Sequence, residues 1–385
     1  MGVCSCSVNN SGVESKETDI ETSKNNSLEE SVLINDTSWD TTEDVEDPSR
    51  GLATELKHEN GVNYYTVTGI GSCADTEIVI PGTIEGVPVI EIAADAFNGN
   101  TRIQSLYCGS RVTKIGDRAF LNCKNLKTII IPDNVLSIGK EAFESCGVTD
   151  LVLGDRIKEI GRDAFMFCAH LKSIKLPNDL TAISDNCFCA CTSLFDVELS
   201  PNIISIGDQA FSSTSITSIY IPASVSSISP YAFDSTSLVN FEVDNYNPYF
   251  SGIDGVLFSK DKTELIRLPD GRKGDYAVPE GVRIIGENAI SDAEVTLSES
   301  VSHISTMSFR GKAGITINAN KGLSYIDQYA FLSANGIVTI NYTGTKEEWN
   351  SISKANEWHY PYFGIGTQSV IVNCIDGSLT FSYSG

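Results

Sequence analysis

The sequence predicts a repeat solenoid: mainly β, built of parallel stacked strands and short helical turns, and preceded by a disordered N-terminal tail. Three observations carry this. A phrase of about 22 residues recurs down the chain, first as Ile115-Gly116-Asp117-Arg118-Ala119-Phe120 and again at 138–143, 160–165, 183–188, 206–211 and 228–233. Its phenylalanines, with Phe97 at their head, are 22 or 23 residues apart. Self-similarity at this period means coils that bury their apolar faces only against one another. Hydrophobic content of 41% is enough for a continuous core, so the 385 residues are better read as one elongated domain than as several globular ones.

The acid is unevenly placed. Residues 1–50 hold 12 Asp/Glu against Lys16, Lys24 and Arg50, and are otherwise rich in Ser, Asn and Thr. Such a segment buries too little apolar surface to offset its ordering entropy. Residues 1–55 are therefore expected to be a disordered acidic tether, with the solenoid over 56–385. The net charge of −23 argues against nucleic acid, whose phosphates it would repel. No run of 18 apolar residues exists, so no helix spans a membrane.

One coil shows the grammar. In Leu171-Lys172-Ser173-Ile174-Lys175-Leu176-Pro177, the residues Leu171, Ile174 and Leu176 have the spacing of a leucine-rich repeat strand, and the last two point inward around an outward Lys175. Pro177 and Asn178-Asp179 turn the chain. Leu180 and Ile183 re-enter the core, and Asp185 to Phe188 begin a short helical turn that stacks Phe188 on its neighbours. Residues 126–132 and 216–222 repeat the pattern. With strands about 4.8 Å apart, ten or eleven coils extend roughly 50 Å.

Eleven cysteines are present, an odd number. Cys123, Cys146, Cys168 and Cys191 each fall three residues after a repeat phenylalanine, where other coils carry Asn100, Thr214 and Thr236. A slot accepting Cys, Asn or Thr is a small half-polar interior site, and free buried thiols are expected there. In Cys187-Phe188-Cys189-Ala190-Cys191, Cys187 and Cys191 face inward in the repeat frame while Cys189 faces elsewhere. No further ligands stand at zinc spacing, so no metal is expected.

Cys4 and Cys6 differ, because they precede the tail. Three readings stay open for them. A lipidated cysteine followed by a polar linker tethers bacterial lipoproteins, although no basic region or apolar signal core precedes these two. Met1-Gly2 with palmitoylated cysteines is a second reading, but residue 6 is Cys where the myristoylation pattern wants Ser or Thr. A cloning-derived terminus is the third. Membrane association is expected only through such an anchor.

Catalytic patterns are missing: no His-Glu-x-x-His, no Gly-x-Ser-x-Gly, no phosphate loop. His58, His170, His303 and His359 lie in different coils and phases, and Asp244 to Asn247 lacks the ligand alternation of an EF-hand. The chain is expected to be neither an enzyme nor the holder of a cofactor.

The grammar I-G-x-x-A-F-x-x-C-x-x-L-x-x-I-x-I-P, matched at every fixed position by Ile115 to Pro132, resembles the BspA-like leucine-rich repeat family of cell-surface proteins. The resemblance runs over roughly residues 60–376. Repeats fill about 60–240 and 282–340. Between them, at about 241–281, Asn247 to Phe258 resembles the family's β-hairpin insertion, with Asp254-Gly255 as its turn. Ile285–Ile290, 304–309 and 326–331 resume the repeat in weaker form, with Ile290 in place of Phe and only 19 residues to Phe309. Residues 341–385 resemble a C-terminal cap, to which Trp349 and Trp358 contribute.

The outward strand positions run Ile130, Val152, Lys175, Glu198, Tyr220 and Glu242. Apolar Ile130 and Val152 beside charged and aromatic neighbours form a candidate binding face, against the plain alternative that they are good strand formers. The family resemblance implies an interaction or adhesion protein that binds a protein ligand on a host or bacterial surface, at the cell surface or outside the cell; a monomer is expected. Glycan binding through Tyr246, Tyr249, Tyr360 and Tyr362 is the alternative, and a structural spacer the third reading.

Overall fold

The computed structural model describes residues 48–384 apart from 292, 312–313, 334–335 and 361–366. These residues make a β-solenoid of about 12 turns with almost no helix. That exceeds the ten or eleven expected, because strand Glu264–Arg267 of the insertion itself takes a place in the stack, pairing in parallel with Ile284–Ile285.

Each early coil has three sides. The first carries the outward strands, such as Ser105–Tyr107, Thr128–Ile131 and Asp150–Leu153, stacked in parallel with Leu106, Ile129 and Leu151 in register. Alternation decides which side chains enter the core: Ile129 and Ile131 are buried, Ile130 half-buried. The prolines end these strands and open a turn, as Val135 N donates to the Pro132 carbonyl at 3.1 Å.

The second side is a ladder of two-residue strands, Lys114–Ile115, Ser137–Ile138 and Glu159–Ile160, whose isoleucines are buried. Here the coils approach closely. A Cβ on Gly116 would lie 2.5 Å from the Ala94 nitrogen, and one on Gly161 2.6 Å from that of Lys140. This favours glycine in those coils, while Ala93, Ser184 and Ser229 fill the same place in others.

The third side holds the phenylalanines. Where short helical turns are expected, the chain instead makes successive tight turns, because left-handed residues flank the rings from Phe97 to Phe211 two positions before and after. Arg118 and Asn122 flank Phe120, Glu141 and Ser145 flank Phe143, Asp163 and Phe167 flank Phe165. Amides then alternate between bonds within the coil and bonds to the next: Phe120 N donates to Ala142 O, Cys123 N back to Phe120 O. Such alternation is incompatible with a continuous i→i−4 ladder. It sets the seven rings from Phe97 to Phe233 in a stack with centroids 4.9–5.6 Å apart.

The cysteine slot closes this side. Cys123, Cys146, Cys168 and Cys191 Sγ donate to the carbonyls of Phe97, Phe120, Phe143 and Phe165 in the preceding coils, at 3.1–3.3 Å. Thr214 and Thr236 turn instead to Phe211 O and Phe233 O of their own coils. The described cysteines are free, and all but half-buried Cys374 are buried. Burial pushes the thiols of Cys108 and Cys168 up to about 12, which keeps them protonated and unreactive.

Regular structure begins ahead of residue 56. The hydroxyl of buried Ser49 donates to Glu77 O, and strand Ala53–Glu59 pairs antiparallel with Val62–Gly69. Contacts from later residues hold this stretch, and they are invisible in its own polar composition. In the insertion, Phe250–Ile253 and Val256–Ser259 form an antiparallel hairpin whose turn residues Asp254 and Gly255 both have positive φ. Glu264–Arg267 extends it as a third antiparallel strand.

After the insertion the architecture changes. Ile290–Ser291, Phe309–Gly311 and Phe331–Ser333 form a third parallel sheet in place of the turns. The outward strands from Tyr276–Ala277 through Ile337–Tyr342 merge into one six-stranded sheet, closed by the hairpin Thr367–Cys374 and Gly377–Ser384. A short helix, Lys346–Ser351, starts at a capping box of Thr345 and Glu348 and drives Trp349 into the core. Trp349 and Trp358 are both buried, with centroids 6.0 Å apart.

A largely buried ionic cluster sits where the two halves meet. Asp234 accepts from Arg267 at 3.1 Å and from Arg310 at 2.7 Å, and Arg267 also donates to Asp270 at 2.7 Å. Asn288 Nδ2 donates to Pro230 O at 2.9 Å and to Asp234 at 3.3 Å. Burial opposes the charge of Asp234, but the Arg310 and Arg267 guanidiniums outweigh it and hold the carboxyl below its ordinary value. Burial raises Asp270 instead.

Candidate functional site

The strand face is built by alternation: on each outward strand, residues flanking the buried isoleucine or leucine point to solvent. Ile130 is half-buried between Tyr107 and Val152, its partners in register. Val152 is 40% exposed. Lys175 stands opposite Glu198, and Tyr220 opposite Glu242. Lys175, Glu198 and Glu242 are exposed, and Tyr220 is 50% exposed. The six residues thus share one side of the solenoid but lie on three separate short sheets, one of four strands and two of two.

The last pair is joined by groups that the outward-position series does not contain. Tyr220 Oη donates to Asp244 Oδ2 at 2.5 Å, and the Tyr246 amide donates to Asp244 Oδ1 at 2.8 Å. The bond to Tyr220 holds the Asp244 carboxyl below its ordinary value, and the carboxylate raises the phenol in return. Asp244 follows Glu242 by two residues, so strand periodicity was the available signal for it. Asp196, outward on the same strand as Glu198, adds a further carboxylate.

The other candidates are dispersed. Tyr246 is 89% exposed and Tyr249 53%, both beside the insertion. Tyr360 is half-buried, with its ring 4.4 Å from that of Tyr383, and Tyr362 lies outside the described residues. Trp349 and Trp358, being buried, are core residues and offer no stacking platform. His58 and His170 are exposed, His303 Nε2 lies 2.9 Å from Asp327, and His359 is half-buried near the cap. Cys187 and Cys191 join the core cluster, while Cys189 is buried outside it near Ser212. Among the described residues no group of three His, Cys, Asp or Glu side chains is arranged to hold a metal ion. No described helix is long and apolar enough to cross a membrane. Cys4 and Cys6 lie outside the described residues.

Comparison with known proteins places this architecture. A leucine-rich cell surface protein from Faecalibacterium prausnitzii superposes with a TM-score of 0.57 at 24% identity, over 82% of this chain and 98% of that one. The pneumococcal vaccine antigen PcpA gives 0.47 at 18% identity, over 80% and 95%. A leucine-rich repeat protein from Bacteroides ovatus gives 0.43 at 22%, over 81% and 90%. Among curated proteins, none matches the chain. The family model for the BspA type leucine rich repeat region matches over residues 90–189, 113–240, 158–271 and 275–356. Those matches span more than half of the sequence and follow the coils described above, and the chain belongs to the BspA-type leucine-rich repeat family.

Proposed function

We propose that this protein is a non-enzymatic interaction module that works at a cell surface and binds a protein ligand through its outward strand face. The observation that carries the reading is the register of that face, which sets Ile130 beside Val152 and Tyr220 beside Glu242 and leaves large apolar groups in water. Exposed aromatic and aliphatic side chains rimmed by charge are what a protein interface uses at its centre and edge. Membership of a family of surface repeat proteins supports the same reading. The chain acts as a monomer, without a cofactor, and any membrane attachment runs through a lipid on Cys4 or Cys6.

A glycan-binding alternative rests on Tyr246, the most exposed of the described aromatic side chains noted above. One experiment separates the readings. The full chain and an Ile130→Asp, Val152→Asp, Tyr220→Ala variant of equal melting temperature are presented to extracellular-matrix proteins, bacterial surface proteins and immobilised glycans. Protein binding that the variant loses is the expected result. Glycan binding that the variant keeps moves the site to the insertion, and silence toward every ligand turns the assignment to a spacer.

A further inference from the structure

The strand face changes character along its length, and the change points to the chemistry of the partner. At Ile130 and Val152 it is aliphatic. From Asp196 onward it carries Asp196, Glu198, Glu242 and Asp244 around Tyr220, and no Lys or Arg stands on the strands Asp196–Glu198, Ser218–Ile221 or Asn240–Val243. Among the described residues none of these four carboxylates is within ion-pairing distance of a basic side chain, although other carboxylates of the molecule are, such as Glu91 with Lys114 at 2.7 Å. Lysines mark only the rims. Lys175 faces Glu198 across the strands at one end, and Lys260 Nζ donates to Asn245 O at 3.2 Å at the other.

We propose that this part of the strand face, from Asp196 to Asp244, docks a cationic protein segment bearing Arg or Lys side chains; the proposal rests on the strand-face reading above. Charge complementarity selects that occupant. The carboxylates sit on two coils separated by the coil of Tyr220, hence about 10 Å apart, and no three converge to hold a metal ion. The positive charge they meet must therefore arrive on separate side chains of an extended segment. The aromatic groups fit the same occupant. Asp244 fixes Tyr220 through its hydroxyl and Tyr246 through its backbone amide. The two tyrosines are thereby anchored beside the acidic groups, where guanidinium and ammonium groups gain from both the ring faces and the carboxylates. A neutral glycan would stack on the rings and donate hydroxyls, but would bring no positive charge to the four carboxylates.

The test uses the full chain and two ten-residue peptides, one alternating Arg and Ser, the other Glu and Ser, with binding measured by calorimetry at low and physiological salt. An Asp196→Asn, Glu198→Gln, Glu242→Gln variant removes the proposed contacts. A Glu77→Gln, Glu85→Gln, Glu347→Gln variant removes the same charge from exposed positions elsewhere. The Arg–Ser peptide is expected to bind the native chain, to weaken tenfold or more in the first variant and little in the second, and to weaken with salt. Equal weakening in both variants would show attraction to net charge alone and overturn the proposal, as would binding of the Glu–Ser peptide or no binding of the Arg–Ser peptide. A protein ligand lost on mutation of Ile130 and Val152, together with no response to the Arg–Ser peptide, would reject the cationic partner and leave the strand-face reading standing. A protein ligand that ignores every strand-face substitution would remove both.

Discussion

The coils before the insertion and the coils after it solve the same packing problem differently. In the first half, the outward strand begins seven or eight positions after a stacked phenylalanine, as from Phe143 to Asp150 or Phe120 to Thr128; after the insertion it begins only five or six positions on, from Ile290 to Val295 or Phe309 to Ile315. The longer connection has room for a second left-handed residue and for the Cys or Thr slot. Among the described residues the shorter one lacks that slot and carries its second positive-φ residue, Gly314 or Gly336, immediately before the outward strand, and its backbone pairs as a third parallel sheet. The outward faces diverge as well. The early strands fall into short sheets bearing charge, whereas the late ones form one sheet along which Asn373 donates to Asn341, Asn341 to Asn318 and Asn318 to Thr296 at 2.9–3.1 Å. A repeat protein thus keeps its core while a small change of length in one connection rewrites a whole side.

The junction between the halves offers the largest effect. Asp234→Ala takes from Arg310 its carboxylate and leaves Arg267 with Asp270 alone, and is expected to cost about 3–5 kcal/mol. It should also split a single denaturant transition into two, as fluorescence and far-UV dichroism would show; one unbroken transition would mean that the halves are coupled by apolar packing alone. The pH dependence follows from the shifts. Because the folded carboxyl of Asp234 is depressed below the ordinary aspartate value of 3.8, its stabilising contribution is complete above that value and is lost as pH falls through the folded one. Asp270 works in the opposite sense: its ionised form is the costly one, and that cost is relieved as pH falls through its raised value. The Asp234→Ala variant should therefore lose less stability than the native chain when the pH is lowered from about 5 to about 2.5.

Phe165→Ala is expected to cost about 3–5 kcal/mol, since the ring is fully buried between Phe143 and Phe188 at 5.3 and 5.5 Å. Combined with Asp234→Ala, which gives two transitions, its cost should fall on that of the first half. A loss spread equally over both transitions would contradict a division at Asp234. The smallest effect belongs to the late sheet: Asn341→Ala, which interrupts the amide ladder on a solvent face, is expected to cost about 0.2–1 kcal/mol and to leave the first half unchanged. A larger cost in thermal melting would mean that the ladder organises the sheet instead of decorating it.

The period of the phenylalanines and the inward and outward alternation of the strands are legible in the sequence, because both are local consequences of stacking identical coils. Ile130, Val152, Lys175, Glu198, Tyr220 and Glu242 follow from that alternation. The role of Asp244 does not, since its partners Tyr220 and Tyr246 meet only when two coils are laid side by side. Around Phe188 the run Asp-Asn-Cys-Phe reads as the start of a helical turn. The structure sets Asn186 and Ala190 in left-handed conformations instead, which the bonds to the neighbouring coil favour over a local helix.

By itself the sequence determined that the chain repeats, which side chains enter the core and which line the outward strands, because each of these depends on spacing within one coil. Tertiary structure decided the rest. It tied Ser49 to Glu77, made one side of the late coils a sheet, and gathered Asp234, Arg267, Asp270 and Arg310 from positions up to 76 residues apart into one cluster. The physical reason is common to all three: the free energy that fixes these groups comes from contacts between coils, and no window of sequence shorter than the gap between them contains both partners.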